Sequence, residues 1–396
     1  MPPTATVAPI APASVSNPNS LLPNRLMSLD VYRGLAVAGM IIVDNPGSDD
    51  HAFWPIMHCQ WNGWTPADLI FPSFLFLVGI SLVFSFSSRL AHGQSRRQIL
   101  LHAFKRSLIL IAVGLLVNAS PIYGFDLHSF RFEGVTQRIA LCYFASAILE
   151  LYFSRRGQLI AIAVCLLGYW AILRFVPVPG FGFPGRDIPF MDPDRNITAW
   201  LDRKLFMGHL YNGTRDPEGI IHTIPAIATT LFGVLTGHWL RNAKPTFAKI
   251  RPLLLIGVLC IVAGSIWNRW FPINKNLWTS SFVLLSGGFC FLFLSFFYWL
   301  IEIKNWRAFW TMPILVFGMN PILAYIADSL VYGPGYTFHA RTPTGLPVLW
   351  HEAAQAHLEY HGLSTPWASL VYSLVGLAFC WLLLYPLYRK KIFLKA

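Results

Sequence analysis

The stretch PADLIFPSFLFLVGISLVFSFSS, residues 66–88, carries a single charge, Asp68. A helix rises about 1.5 Å per residue, so about 20 such residues cross a ~30 Å hydrocarbon layer. The strands of a membrane barrel would alternate apolar and polar residues with period two, and this stretch does not. It reads as a transmembrane helix. Runs of the same kind recur at about 29–45, 99–118, 135–153, 158–176, 219–240, 252–270, 277–301, 307–330 and 367–388. The fold class they predict is all-α. It is a polytopic membrane protein of about ten transmembrane helices forming one domain, residues 25–396.

Composition agrees. Of 396 residues, 55% are hydrophobic and 12% charged, against about 25% charged in a soluble domain. Mean hydropathy is +0.51. These values exclude a disordered chain, a coiled coil and a soluble nucleic-acid binder, although the net charge is +12. The expected partner is a lipid bilayer, with no nucleic acid. Six cysteines are scattered without a CxxC pair, so neither a zinc cage nor a disulfide framework is indicated, and no metal is expected. Residues 1–24 are Pro-, Ala- and Ser-rich without Lys or Arg. They read as a disordered cytoplasmic tail rather than a signal peptide.

Charge sets the expected orientation. With the N-terminus inside, the short inner segments hold 18 of the 30 Lys and Arg residues. The longer outer loops (about 46–65, 119–134, 177–218 and 331–366) hold fewer than half as many. The positive-inside rule then predicts both termini on the cytoplasmic side. The outer loops, rich in Pro, Gly, Trp, His and Asp, are too long to be mere connectors.

The densest constellation is His58-Cys59-Gln60-Trp61-Asn62-Gly63-Trp64-Thr65-Pro66-Ala67-Asp68. Thr65 and Pro66 make a helix start and put Asp68 in its first turn. A His with a carboxylate beside it is the usual make-up of a general base and its orienting partner; an interfacial aromatic belt with a polar cap is the plainer alternative. Asp44 and Asn45, at the outer end of the first span, share the depth of His58, and carboxylates at membrane depth usually face a polar cavity. Asp30 and Arg33 stand three residues apart at the inner end, spaced to pair. Gln137-Arg138 opens the fourth span. Glu218 and His222 flank the start of the sixth, where acidic residues are also ordinary caps. Asn274-Lys275-Asn276-Leu277-Trp278 precedes the eighth span. Asn320-Pro321 interrupts the ninth, where proline must break a backbone bond. His357 and His361 have the i,i+4 spacing of a helical metal pair, but no third ligand is specified.

At these residues the sequence resembles the heparan-α-glucosaminide N-acetyltransferase family and its prokaryotic relatives. The likeness runs through Ser28-Leu29-Asp30-Val31-Tyr32-Arg33-Gly34, Asn45-Pro46-Gly47 and His58-x-x-Trp61-Asn62-Gly63-Trp64-Thr65-Pro66-Ala67-Asp68. It continues in Gly134-Val135-Thr136-Gln137-Arg138, Asp216-Pro217-Glu218-Gly219, Asn274-Lys275-Asn276-Leu277-Trp278 and Gly318-Met319-Asn320. The resemblance implies a multi-pass acyltransferase, in a bacterial inner (plasma) membrane if the source is a bacterium. It would pass acetyl from cytoplasmic acetyl-CoA, the co-substrate, to the amine of a glucosamine-type sugar on the far side. It puts His58 and Asp68 in catalysis. The residues singled out above supply the remaining candidates: Asp44, Asn45, Trp61, Asn62, Arg138, Glu218, His222, Lys275, Asn276 and Asn320 for substrate binding, and Arg33 and Asp30 for the co-substrate end. The resemblance is compatible with a homodimer. Relatives usually carry Asn where Asp44 stands. Direct attack of the amine with His58 as base is favoured over an acetyl-histidine intermediate, which would be labile near water. Two other functions share many of these features: an O-acyltransferase of cell-envelope glycans, and a transporter of an amino sugar or small anion, to which polar residues on broken helices are suited.

Overall fold

The computed structural model describes residues 26–48, 51–119, 128, 130–241 and 246–394. The expected tail, residues 1–24, lies outside the described residues. Among the described residues the regular structure is helical apart from one short hairpin. The long helices are α1 (Met27–Asp44), α2 (Ile70–Ala91), α3 (Arg96–Asn118), α4 (Val135–Tyr152), α5 (Arg155–Phe175), α7 (Thr223–Arg241), α8 (Ile250–Trp267), α9 (Ser280–Phe297) and α13 (Thr365–Arg389). A short α6 (Ile197–Phe206) lies in the loop between α5 and α7. The remaining apolar run is split into α10 (Thr311–Met319) and α11 (Pro321–Tyr332), bent by 92°.

Helices lie at all ten expected positions, but the count of ten crossings is not confirmed. Among the described residues, seven helices are long and apolar enough to cross a membrane, or eight if the bent pair is one span. The helices left over are α1, with Asp30, Arg33 and Asp44, and α4, with Gln137, Arg138 and Glu150. Each of these polar groups turns out to have work inside the bundle or at its ends.

Helices α2, α7 and α9 form the centre. Phe76 and Ile80 from α2, Leu231 and Val234 from α7, and Phe291 and Leu294 from α9 share one buried cluster. Gly79 and Gly233 let α2 and α7 cross backbone to backbone; a Cβ at either would strike the other helix's main chain. Small residues at a crossing are how membrane helices gain contact where lipid offers no hydrophobic drive. Helices α3, α5, α8 and α13 surround this centre. They expose apolar side chains such as Leu108, Val164, Leu259 and Leu382, the face that hydrocarbon covers.

A second cluster joins α1 to the C-terminal helices: Val37 and Ile41 pack with Phe317, Ala324, Cys380 and Leu384. The long loop after α5 has a core of its own. Val178, Ile188 and Met191 pack under Phe271 and Leu277. After α11 come the antiparallel strands β1 (His339–Arg341) and β2 (Pro347–Leu349), paired Ala340 to Val348, and then α12 (Trp350–Tyr360).

Candidate active site

The turn from Thr65 to Asp68 builds the site. Pro66 starts a 3-10 turn, Pro66–Leu69, that runs into α2. The Asp68 carboxylate, fully buried, folds back on the loop before it. Its Oδ2 accepts the backbone N–H of Thr65 at 2.9 Å and of Cys59 at 3.2 Å. Its Oδ1 lies 2.8 Å from His58 Nδ1. A carboxylate only accepts, so Nδ1 carries the proton and Nε2 is left as the basic nitrogen. Gly63, at φ +114°, turns the loop between Asn62 and Trp64, and its N–H reaches the Ile273 carbonyl at 2.8 Å.

A second loop interlocks with the first. Asn274 Nδ2 donates to Asn62 Oδ1 at 3.3 Å, and Asn276 Nδ2 to the Gln60 carbonyl at 3.2 Å. Lys275, between them, sets its ammonium beside the imidazole, 3.0 Å from His58 Nδ1 and 3.2 Å from Nε2, and 3.5 Å from Asp68 Oδ1. From α1, Asp44 Oδ1 lies 3.8 Å from His58 Nε2 and is half exposed. Burial lowers the His58 pKa, but the carboxylates of Asp44 and Asp68 outweigh it, against the charge of Lys275. The net direction is upward from 6.5. Burial pushes the Cys59 thiol up, and its Sγ donates to the Asn62 carbonyl. It is a structural thiol in this setting.

Asn45 does not face His58. Its Nδ2 donates to Asp328 Oδ1 at 2.8 Å and to the Ile41 carbonyl at 3.0 Å, while its own carbonyl accepts from Ser373. It ties the end of α1 to α11 and α13. Asp328 was missed in the sequence reading. Its signal was present: a lone carboxylate inside an apolar run nearly always has a partner.

Trp61 turns outward from this centre to the loop after α5, with Nε1 on the Met191 carbonyl at 3.1 Å and Arg215 over its ring. Behind it lies a buried polar cluster. Arg131 pairs with Asp216 and Glu218. Arg138 donates to the carbonyls of Pro217 and Gly219 and sits 5.2 Å from the Trp278 ring centroid. His222 is buried in this cluster beside Tyr169. Burial, with nearby acidic charge, pushes Glu133 up to about 8; burial pushes Asp202 up to about 7. Arg138, Glu218 and His222 therefore brace the loops behind Trp61 and Trp278. The structure groups them with one another rather than with His58.

Two expected ligands lie at the other end. Asp30 and Arg33 pair at 2.9 Å, and Arg33 also reaches Ser81 and the Gly318 carbonyl. Fourteen residues of α1 separate Asp30 from Asp44, roughly 21 Å of helix. Asn320, at the break, donates to the Ile392 carbonyl and accepts from Leu394 N. It stands at the opposite end of α11 from the Asp328–Asn45 pair. Among the described residues no group of three His, Cys, Asp or Glu could hold a metal.

The family model described as "Heparan-alpha-glucosaminide N-acetyltransferase, catalytic" matches residues 25–268. Two curated relatives carry the name heparan-alpha-glucosaminide N-acetyltransferase. The one from Homo sapiens is 32% identical over 95% of this chain, and the one from Mus musculus 30% over 94%. The chain spans about 60% of the length of each.

Proposed function

Because this chain belongs to the heparan-alpha-glucosaminide N-acetyltransferase catalytic family, we propose that it is a multi-pass N-acetyltransferase, moving acetyl from cytoplasmic acetyl-CoA to the amine of a glucosamine-type sugar at the outer face. The observation that carries this reading is the basic Nε2 of His58, fixed from behind by Asp68 and flanked by Lys275 and Asp44.

The chemistry follows from those positions. Asp44 draws in the sugar's amino group as its ammonium, the charge it is suited to hold, and the group releases one proton to the water at this half-exposed site so that a neutral amine is left to react. His58 Nε2 takes a proton as the amine nitrogen attacks the thioester carbonyl. The C–N bond forms, and negative charge develops on the carbonyl oxygen, where the Lys275 ammonium supplies compensating charge. The C–S bond then breaks. The proton held by His58 goes to the departing CoA sulfur, which leaves as a thiol. Asp68 keeps the imidazole in the one tautomer and orientation that allow both transfers. The Asp30–Arg33 pair marks the inner end, where basic residues suit the phosphates of CoA.

The test is transfer from labelled acetyl-CoA by purified protein to a panel of amino sugars and sugars bearing only hydroxyls. Acetyl should appear on the amino sugars. In His58→Ala the rate should fall by about 10²–10⁴-fold. Transfer confined to hydroxyl-only sugars, or an unimpaired His58→Ala, overturns the reading.

A further inference from the structure

Residues 69–125 hold five Lys and Arg and no Asp or Glu. The five stand together at the inner end: Arg89 closes α2, and Arg96, Arg97, Lys105 and Arg106 lie on the first half of α3. Arg89 donates to Gln94 Oε1 at 3.2 Å and to His102 Nε2 at 2.7 Å, neither of which carries negative charge. The charged groups that act on the His102 ring are Arg89, Arg106 and Lys105, all cations. Arg106 is partly buried, and its guanidinium lies 5.0 Å from the Tyr143 ring centroid of α4. Among the described residues no oxygen accepts from it. The carboxylate of Glu150, also on α4, is already held by His238 at 2.8 Å and Gln158 at 2.9 Å. Arg96 and Arg97 meet the positive end of the α3 dipole, where anions are favoured, and the first turn holds no acidic residue. This corner has several cations and no anion of its own.

The same flank of α3 continues as an apolar row. His102, Lys105, Ile109, Ala112 and Leu116 follow at steps of three and four, the spacing of one helix face. All five are exposed, Ile109 by 47% and Leu116 by 72%. Lys105 to Leu116 covers roughly 16 Å of helix, about half of a ~30 Å hydrocarbon layer, the depth that the chains of one leaflet reach. Free phosphate or the phosphates of CoA would satisfy the cations and leave this row bare. A ligand with a phosphate head and an acyl chain matches both.

We propose that the inner corner of α2 and α3 binds an anionic phospholipid of the adjoining leaflet. Its phosphodiester lies against Lys105 and Arg106, with Arg89 behind, and an acyl chain runs along Ile109, Ala112 and Leu116. A guanidinium suits this role because its planar fork can meet two phosphate oxygens at once. The proposal goes beyond the acetyl-transfer reading and does not depend on it.

The experiment is native mass spectrometry of the purified protein in detergent, with phosphatidylglycerol or phosphatidylcholine of the same acyl chains added in equal amounts. One phosphatidylglycerol should stay bound per chain, about tenfold more tightly than phosphatidylcholine. Each Lys or Arg beside an anionic lipid is worth about fivefold in affinity. Lys105 is exposed, so Lys105→Gln leaves the packing intact; it should weaken phosphatidylglycerol about fivefold and leave phosphatidylcholine unmoved. Lys105→Gln with Arg106→Gln should weaken it about twentyfold. Arg156→Gln, which removes an exposed charge at the start of α5, should change nothing. Equal binding of the two lipids overturns the proposal, as does an equal loss in Arg156→Gln and Lys105→Gln. Displacement of the lipid by added CoA would assign the cluster to the co-substrate, and its loss on dimer formation would assign the face to a second copy; either result overturns the proposal.

Discussion

Asp68 receives His58 and two backbone N–H groups at once, so it sets both the loop and the proton on the ring. Asp68→Asn can turn an amide N–H₂ toward Nδ1 and move the ring proton to Nε2. Acetyl transfer should then fall by about 10²–10⁴-fold, read as kcat/KM on a protein of unchanged helicity. The pH profile tests the same ring. His58 acts as base only when neutral, and its pKa is raised, so activity should fall as pH drops through a value above 6.5. Asp44→Asn removes a group that raises this pKa, so the acidic limb should move to lower pH and acceptor KM should rise. Lys275→Met removes a group that lowers it, so the limb should move to higher pH. Identical acidic limbs in all three proteins would contradict His58 as the titrating base. His58, Asp68 and Asp44 were legible in the sequence because each stands at a helix end, where depth follows from position. Lys275 was legible as a site residue. Its contact with His58 was not, because it depends on two loops more than 200 residues apart interlocking.

Among the elements, the α2–α7 crossing gives the sharpest expectation. Gly79→Ala drives a Cβ into the Thr230 carbonyl of α7. Overpacking of this kind costs about 1–3 kcal/mol, so the thermal midpoint in detergent should fall. Gly168→Ala on α5, where a Cβ meets nothing within 4 Å, should be neutral or slightly stabilising. Equal midpoints would show that the crossing tolerates a wider spacing. At the end of α1, Asp328→Ala leaves one of the two N–H groups of the buried Asn45 amide without an acceptor, a loss of about 1–3 kcal/mol. It should lower the midpoint and, by loosening the turn that carries Asp44, raise acceptor KM. The helices themselves were readable from apolar run length. The 92° bend was not. Asn320-Pro321 announces a break, but its angle comes from α10 lying on α1 and from residues 392–394 closing over Asn320.

For the whole molecule the test is which face His58 meets. The basic inner hairpins predict that it faces outward. In a background with Cys59→Ser, Thr344→Cys should react with an impermeant thiol reagent added outside, and Ala248→Cys should not. Reversed labelling would put His58 on the cytoplasmic side and remove transfer across the membrane. Run length also explains why ten spans were expected where length and apolarity confirm seven or eight. The charges on α1 and α4 that fail a hydropathy test are paired with other residues inside the protein, which no linear window can see.

The packing of α1 carries a consequence for synthesis. Its face with Val37 and Ile41 is covered by α10, α11 and α13, so this face of α1 is made long before the helices that cover it. Through the making of nearly 300 residues that face must be sheltered by lipid or by the insertion machinery. A nascent chain stopped before α10 would already carry His58, Asp68 and Lys275, while the end of α1 that bears Asp44 would still lack Asp328 of α11, the partner of Asn45.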